Sequence, residues 1–579
     1  MSVGLVRNNT KMIFHKNTNN VGPQRKRTTL NPSLVVISVL NMLVAACGGG
    51  GAAASSPASS SSSVDSTPGT ASVTTSWGII NEPAYPASTQ ICATLTANLT
   101  AINNSVDSLD GDPRNSNPDA TRIQSAIDNC PSGQAVKLVA PNSGANAFIS
   151  GALTLKSGVT FWIDKGVTLF ASRNPSDFDN GVGTCGTATA VKTASCKPFI
   201  SVNGSTGGGI VGGGIIDGRG GSLLTSGPNA GLRSWWDVAY QSKAAIPLNQ
   251  QNPRLLQIYN ATNYTLHDIA LLNGPTFHVA LASTMGFVAW GIKILTPSLE
   301  YTRPGYARPV GTTPDKVTPA TCFTPNTVVN TDGFDPGSSQ NLLLAYSYIS
   351  DGDDNVAIGA GGLPLSQNHL YAHNKFYYGH GLSIGSYTRG GAQNIKVYDL
   401  TIDGGNSPNG NGLRIKSDAS RGGHIDSITY DTVCMRNERN PLAFDSFYSA
   451  NTGTLYPSYT NIVVKNFHNL GSSVYAGGAL TFLGYDLNGQ NNPIGITLDN
   501  VVFDAAPILP KAHNGSPSGS PYAAHFTFGP GPVSFANQLA PSSAYDVTNT
   551  GTPGSGPGID CSAAFVPMSS VLGTAVSPI

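Results

Sequence analysis

Four short motifs near the middle of the chain hold the residue types that acid–base chemistry needs: Asn330-Thr331-Asp332, Gly352-Asp353-Asp354, Gly379-His380-Gly381 and Arg414-Ile415-Lys416. Taken singly, Asn-Thr-Asp or Gly-Asp-Asp reads as a turn, because Asp, Asn and Gly are turn formers. Order and spacing change that reading. Asp332 and Asp353 are 21 residues apart, so in a chain of stacked coils they can occupy equivalent positions on adjacent rungs, roughly 4.8 Å apart. His380 and Arg414 follow at intervals of a coil with its loops, which sets all four motifs along one face. Like charges on adjacent rungs repel, so a carboxylate column beside two cations is a poor structural ladder and a good reaction site. Clustered acids push their pKa values apart, leaving one protonated while others stay ionised, the division of labour that glycosidic cleavage requires.

The same residues carry local demands. Successive side chains of a strand point to opposite faces, so Asp353 and Asp354 can share one cleft only at a strand end or bulge, and Gly352 fits such a departure. His380, between two glycines, has little packing to do and is read as a partner of the acids. Arg414 and Lys416, at i and i+2, share one strand face, where an arginine can bind a carboxylate through two parallel hydrogen bonds.

The elements that must position these groups are strands. The 579 residues include 67 glycines and only 11% charged side chains, the composition of a turn-rich β protein with enough apolar content for a large core. Short alternating segments such as Leu153 and Leu155, Val159 to Ile163, and Val167 and Leu169 are separated by turns. An Asn followed by alternating apolar residues recurs at Asn341, Asn368 and Asn394, with intervals of 27 and 26 residues, and again at Asn461. That period is one coil of a solenoid, and it predicts an all-β, right-handed parallel β-helix in preference to a sandwich. A coil cannot close its own core, so a terminal cap is needed. A short amphipathic helix starting at Asp119, with Ile123, Ile127 and Cys130 on one face and Pro131 ending it, can supply it.

Residues 1–46 read as an export signal, with six basic residues ahead of the apolar run Leu34 to Ala46, which is too short to span a bilayer comfortably. The sequence Leu43-Val44-Ala45-Ala46-Cys47 resembles a bacterial lipoprotein signal, in which Cys47 is lipidated after cleavage; an ordinary signal peptide is the competing reading. Residues 47–76 form a Gly/Ala/Ser/Pro-rich linker, and residues 77–579 the β-helix domain. The expected location is outside the cell, secreted or held on the outer surface of a bacterium by a lipid anchor in a membrane. Seven cysteines remain after Cys47, an odd number that predicts one buried free thiol, with Cys92–Cys130 and Cys185–Cys196 as local pairs. Neither a metal nor a cofactor is expected, since no Cys-x-x-Cys or His cluster marks one. Zero net charge excludes a global field that recruits nucleic acid. Recognition of an anionic partner must be local, and the chain is expected to act as a monomer.

From Asp119-Ala-Thr-Arg-Ile-Gln-Ser-Ala-Ile-Asp128 through Arg233-Ser-Trp-Trp236 and Asn330-Thr-Asp-Gly-Phe-Asp-Pro336 to Gly412-Leu-Arg-Ile-Lys416, the chain resembles the polygalacturonases among the glycoside hydrolases, bacterial members in particular. The resemblance implies inverting hydrolysis of α-1,4-galacturonosidic bonds in polygalacturonate or demethylated pectin. It implies that Asp353 is the acid and that Asp332 and Asp354 hold the attacking water, with carboxyls separated by roughly 6.5 to 9.5 Å. It further implies that His380 tunes the acids, and that Asn330, Arg414, Lys416 and Tyr448 contact substrate. Asn355 stands where many relatives have Cys, Gly359 where many have Lys, and Tyr387 where many have an acid, which leaves the outer sugar contacts open. Endo action is expected over exo. A Ca²⁺-dependent pectate lyase and a non-catalytic glycan-binding β-helix are the other readings.

Overall fold

The computed structural model describes residues 71–190, 192–244, 248–303, 322–362, 364–485, 489–509, 524–539, 545–547, 553–554 and 556–579. The export signal, Cys47 and most of the linker lie outside the described residues. The first described strand is Ser72–Thr75, and it pairs antiparallel with Gly78–Asn81.

Nearly every other strand pairs in parallel with its counterpart one coil on, forming a parallel β-helix. One sheet of ten strands carries the site. It includes Leu256–Tyr259, Val279–Ala282, Phe334–Gly337, Val356–Ile358, Leu382–Gly385, Asn411–Lys416 and Asn440–Asp445, each in register with the next. Inward residues stack in a column: Leu256, Val279, Phe334, Val356, Leu382, Leu413 and Leu442 are all fully buried. Alternation then sends Gln257, Ala280, Asp335, Ser383 and Arg414 to the outer face. Stacking like on like makes the coils interdependent, because each core layer is closed by its neighbours.

The recurrent asparagines have a conformational cause. Asn341, Asn368, Asn394 and Asn461 sit at coil corners with φ between 52° and 58°, a left-handed region that Asn tolerates better than most residues. Their amides also form a ladder: Asn368 Nδ2 donates to Asn341 Oδ1 at 3.0 Å, and Asn394 Nδ2 to Asn368 Oδ1 at 2.6 Å.

The helix Ala120–Asn129 buries Ile123 and Ile127. Asp119 precedes it but makes no side-chain cap. Its carboxylate instead pairs with Arg122 at 2.6 Å and accepts from the Ile149 amide at 2.8 Å, tying the helix start to the strand Ala147–Ser150. Disulfides join Cys92–Cys130, Cys185–Cys196 and Cys434–Cys561. Cys322 is disulfide-bonded as well, so the expected buried free thiol does not occur among the described residues.

Candidate active site

Two loops and two strand segments of the ten-stranded sheet bring the motif residues together. Asn330, in left-handed conformation with φ 58°, leads the chain into Phe334–Gly337. Thr331 locks the two acid loops by donating to the Val328 carbonyl at 2.7 Å and accepting from the Gly352 amide at 2.9 Å. Asp353 and Asp354 lie just ahead of Val356–Ile358, at a strand end where the pleat does not yet separate them. The Gly333 amide donates to the Asp354 carbonyl at 2.9 Å, and Phe334 is level with Val356. Asp332 is therefore level with Asp354, not with Asp353 as the 21-residue interval suggested. The coil from one acid to the next is one residue longer.

Asp353 sits among donors. His380 Nδ1 lies 3.1 Å from its Oδ1, which also accepts from the Asp354 amide at 3.1 Å. Asn330 Nδ2 donates to Oδ2 at 3.3 Å and Lys243 Nζ stands 3.6 Å away. Burial raises the carboxyl's pKa, but the His380 hydrogen bond and charge, with Lys243 and Lys416, outweigh it and hold Asp353 below the usual carboxylate range. Asp332 goes the other way. It is buried, its Oδ1 has no hydrogen-bond partner, and burial followed by the charge of Asp353 pushes it well up. Asp332 and Asp353 are thus driven in opposite directions, and burial raises the neighbouring Asp335 and Asp351 as well.

Arg414 and Lys416 are already engaged. Both bond Asp354, Lys416 Nζ at 2.6 Å from Oδ2, and Arg414 Nε donates to Ser383 Oγ at 2.8 Å. Asp354 is nearly fully buried between these two cations. Tyr448 is half-exposed and its ring lies 5.2 Å from Lys416 Nζ. The cleft has a volume of about 520 Å³ and is lined by Asp332, Asp353, Asp354, Lys416 and Tyr448. A contiguous lobe of about 270 Å³ adds His380, Arg414 and Asn440, so space extends to both sides of Asp353. Gly359 and Tyr387 line the larger lobe. Asn355 is buried and braces the His380 loop, accepting from the Gly381 amide at 3.0 Å.

Asp353, Asp354 and His380 place three potential ligand atoms within 4.8 Å of one another. Arg414 and Lys416 already neutralise Asp354 and Lys243 faces Asp353, so the donor set suits proton transfer rather than a cation.

Several residues at the site carry no local sequence signal. Lys243 arrives on the helix Trp235–Ala244, whose start is fixed by Ser234 and Asp237: Ser234 Oγ accepts from the Asp237 amide at 3.2 Å, and Asp237 Oδ2 accepts from the Ser234 amide at 2.9 Å. Trp236 is buried beneath it and donates to the Gly274 carbonyl at 2.8 Å. Asp351 accepts from the Asp353 amide at 3.0 Å and fixes the acid turn. His278, kept neutral by burial that lowers it to about 4, sits 3.1 Å from the Asp332 carbonyl and 2.7 Å from Thr296 Oγ1. A histidine in a β sequence reads as core, and only its neighbours tell otherwise.

Comparison with known proteins assigns the family. The family model described as glycosyl hydrolases family 28 matches residues 130–514. A polygalacturonase of Ralstonia nicotianae is 61% identical over 511 residues, covering 88% of this chain and 95% of that protein. An endo-polygalacturonase of Pectobacterium carotovorum subsp. carotovorum is 39% identical over 382 residues, covering 66% of this chain and 82% of its own length. Among solved structures, the polygalacturonase from Erwinia carotovora ssp. carotovora superposes with a TM-score of 0.59 at 34% identity, covering 74% of this chain and 95% of that one. A β-helix with its acids gathered at one cleft, matched over most of its length by such relatives, belongs to glycosyl hydrolases family 28.

Proposed function

We propose that the chain is a polygalacturonase that hydrolyses α-1,4-galacturonosidic bonds of de-esterified pectin with inversion, by endo attack. The observation that carries this is the arrangement of Asp332, Asp353, Asp354 and His380 in one cleft with Arg414 and Lys416 behind them. Asp353 protonates the leaving oxygen, and Asp332 with Asp354 holds and deprotonates the water on the other face of the sugar. Proton placement depends on substrate. A uronate carboxylate entering beside Lys416 and Lys243 offsets the charge they exert on Asp353, and the sugar excludes water, so Asp353 rises against the pull of His380. Asp353 then carries the proton that the leaving oxygen receives, and Asp332 with Asp354 takes the proton of the attacking water. His380 and Asn330 orient the acid, while Arg414, Lys416 and Tyr448 meet the uronate. Space on both sides of Asp353 supports endo cleavage, since a chain can pass through. The disulfides support export, because such bonds persist in oxidising compartments.

The test is a time course on polygalacturonic acid in EDTA, following reducing ends, viscosity and ultraviolet absorbance together. The expected result is new reducing ends with early viscosity loss and without the absorbance of unsaturated products. Unsaturated products would mean lyase chemistry, and slow viscosity loss with monomer or dimer release would mean exo action.

A further inference from the structure

Arg254 lines the larger lobe of the cleft on the N-terminal side of the acids. The sheet register extends ahead of the strands: the Leu255 amide bonds the Phe277 carbonyl at 2.9 Å, the His278 amide the Asp332 carbonyl at 2.9 Å, and the Gly333 amide the Asp354 carbonyl at 2.9 Å. Arg254, Phe277, Asp332 and Asp354 thus form one column on successive rungs. Arg254 is two rungs from Asp332, about 10 Å at the usual strand spacing. An extended pyranose chain running along the column advances about one ring per rung.

The guanidinium is held without an ion pair, and the buried Asp335 of the same lobe feels its charge but does not bond it. Its Nη1 donates to Gln257 Oε1 at 2.9 Å and to the Tyr259 hydroxyl, and it lies 5.4 Å from the Phe277 ring centroid. Among the described residues no carboxylate lies within salt-bridge distance of it, in contrast to Arg414 and Lys416, which are committed to Asp354. Nε and Nη2 remain as an open two-donor fork, the geometry that binds a carboxylate through parallel bonds. Phe277, on the intervening rung, offers a ring edge or face to the sugar between. Tyr259 and Gln257, on the strand Leu256–Tyr259, fix the guanidinium's orientation in advance, so little side-chain entropy remains to be lost on binding.

We infer that Arg254 is an outer subsite that binds the carboxylate of a de-esterified uronate two to three rings from the scissile bond, on the N-terminal side of the groove. This rests on the polygalacturonase reading. The site makes the enzyme sense the substrate's free carboxylate beyond the cleavage point, and thereby its length and local esterification.

The test compares wild type with R254Q on oligogalacturonates from trimer to hexamer. The expected result is that KM for the hexamer rises roughly tenfold, the loss of one charge-assisted contact, with kcat little changed. The ratio of hexamer to trimer kcat/KM falls by the same factor. A hexamer methyl-esterified at the ring facing Arg254 should show the same loss with wild type and no further loss with R254Q, the non-additivity of two changes to one contact. Equal losses at every length, unchanged kinetics, or additive effects of ester and substitution overturn the proposal. If R254Q does not fold by circular dichroism, the ester series on wild type decides alone. If wild type leaves polygalacturonate intact, the functional reading falls, and calorimetric affinities of wild type and R254Q for the hexamer then decide the subsite.

Discussion

Replacing Asp353 by Asn separates a chemical role from a structural one, because the contacts around this side chain predict how each responds. Its Oδ1 accepts from His380 Nδ1 and from the Asp354 amide, both at 3.1 Å, and an amide oxygen can keep both. Its Oδ2 accepts from Asn330 Nδ2 at 3.3 Å and faces Lys243 at 3.6 Å, and an NH₂ group there meets donors only. One hydrogen bond and one weak ion pair are lost, about 1–2 kcal/mol together. Relief of repulsion with Asp332, whose pKa Asp353 raises, offsets part of that. The fold should therefore survive with a small shift in its melting temperature. Loss of a general acid costs about 10² to 10⁴ in kcat, or about 3–5 kcal/mol in the barrier. Reducing-end assays on polygalacturonic acid, with circular dichroism melts in parallel, read both numbers. Activity within tenfold of wild type refutes Asp353 as the acid, and a collapse of the melt alongside lost activity refutes the assignment of these contacts as dispensable.

Asp217 is buried and its pKa is raised to about 7, chiefly by burial, against hydrogen bonds from the Arg219 amide and Asn273 that lower it. A folded pKa above the unfolded one gives stability that is complete below about pH 4 and lost as pH rises through 7, on the order of 4 kcal/mol by pH 8. The D217N variant should lack this decline, so its stability relative to wild type should improve between pH 4 and pH 8 in urea titrations; parallel curves would contradict the argument. Asn368, at φ 58° and bonded on both sides in the amide ladder, should cost about 2–4 kcal/mol as N368A, from the left-handed backbone and the lost bonds. The N368G variant should recover the backbone share, and equal losses for the two would assign the whole effect to the ladder.

The sequence by itself determined the coil and the chemistry. Asn341, Asn368 and Asn394 recur at coil length because each coil turns the same left-handed corner, and a residue tolerant of that conformation must return each time. Asp332, Asp353, Asp354, His380, Arg414 and Lys416 were legible because their motifs are short and keep their order. Tertiary structure decided which of them meet. From Leu256 to Val279 the register advances 23 residues, from Val279 to Phe334 it advances 55, and from Phe334 to Val356 it advances 22. Spacing alone therefore could not set Asp332 level with Asp354, or bring Lys243 and Arg254 beside acids about a hundred residues on. Nor could it show that Arg414 and Lys416 would close on Asp354, or that burial would push Asp332 up while His380 holds Asp353 down. Those outcomes depend on burial and on the sum of charges through space, which no local pattern of residues encodes.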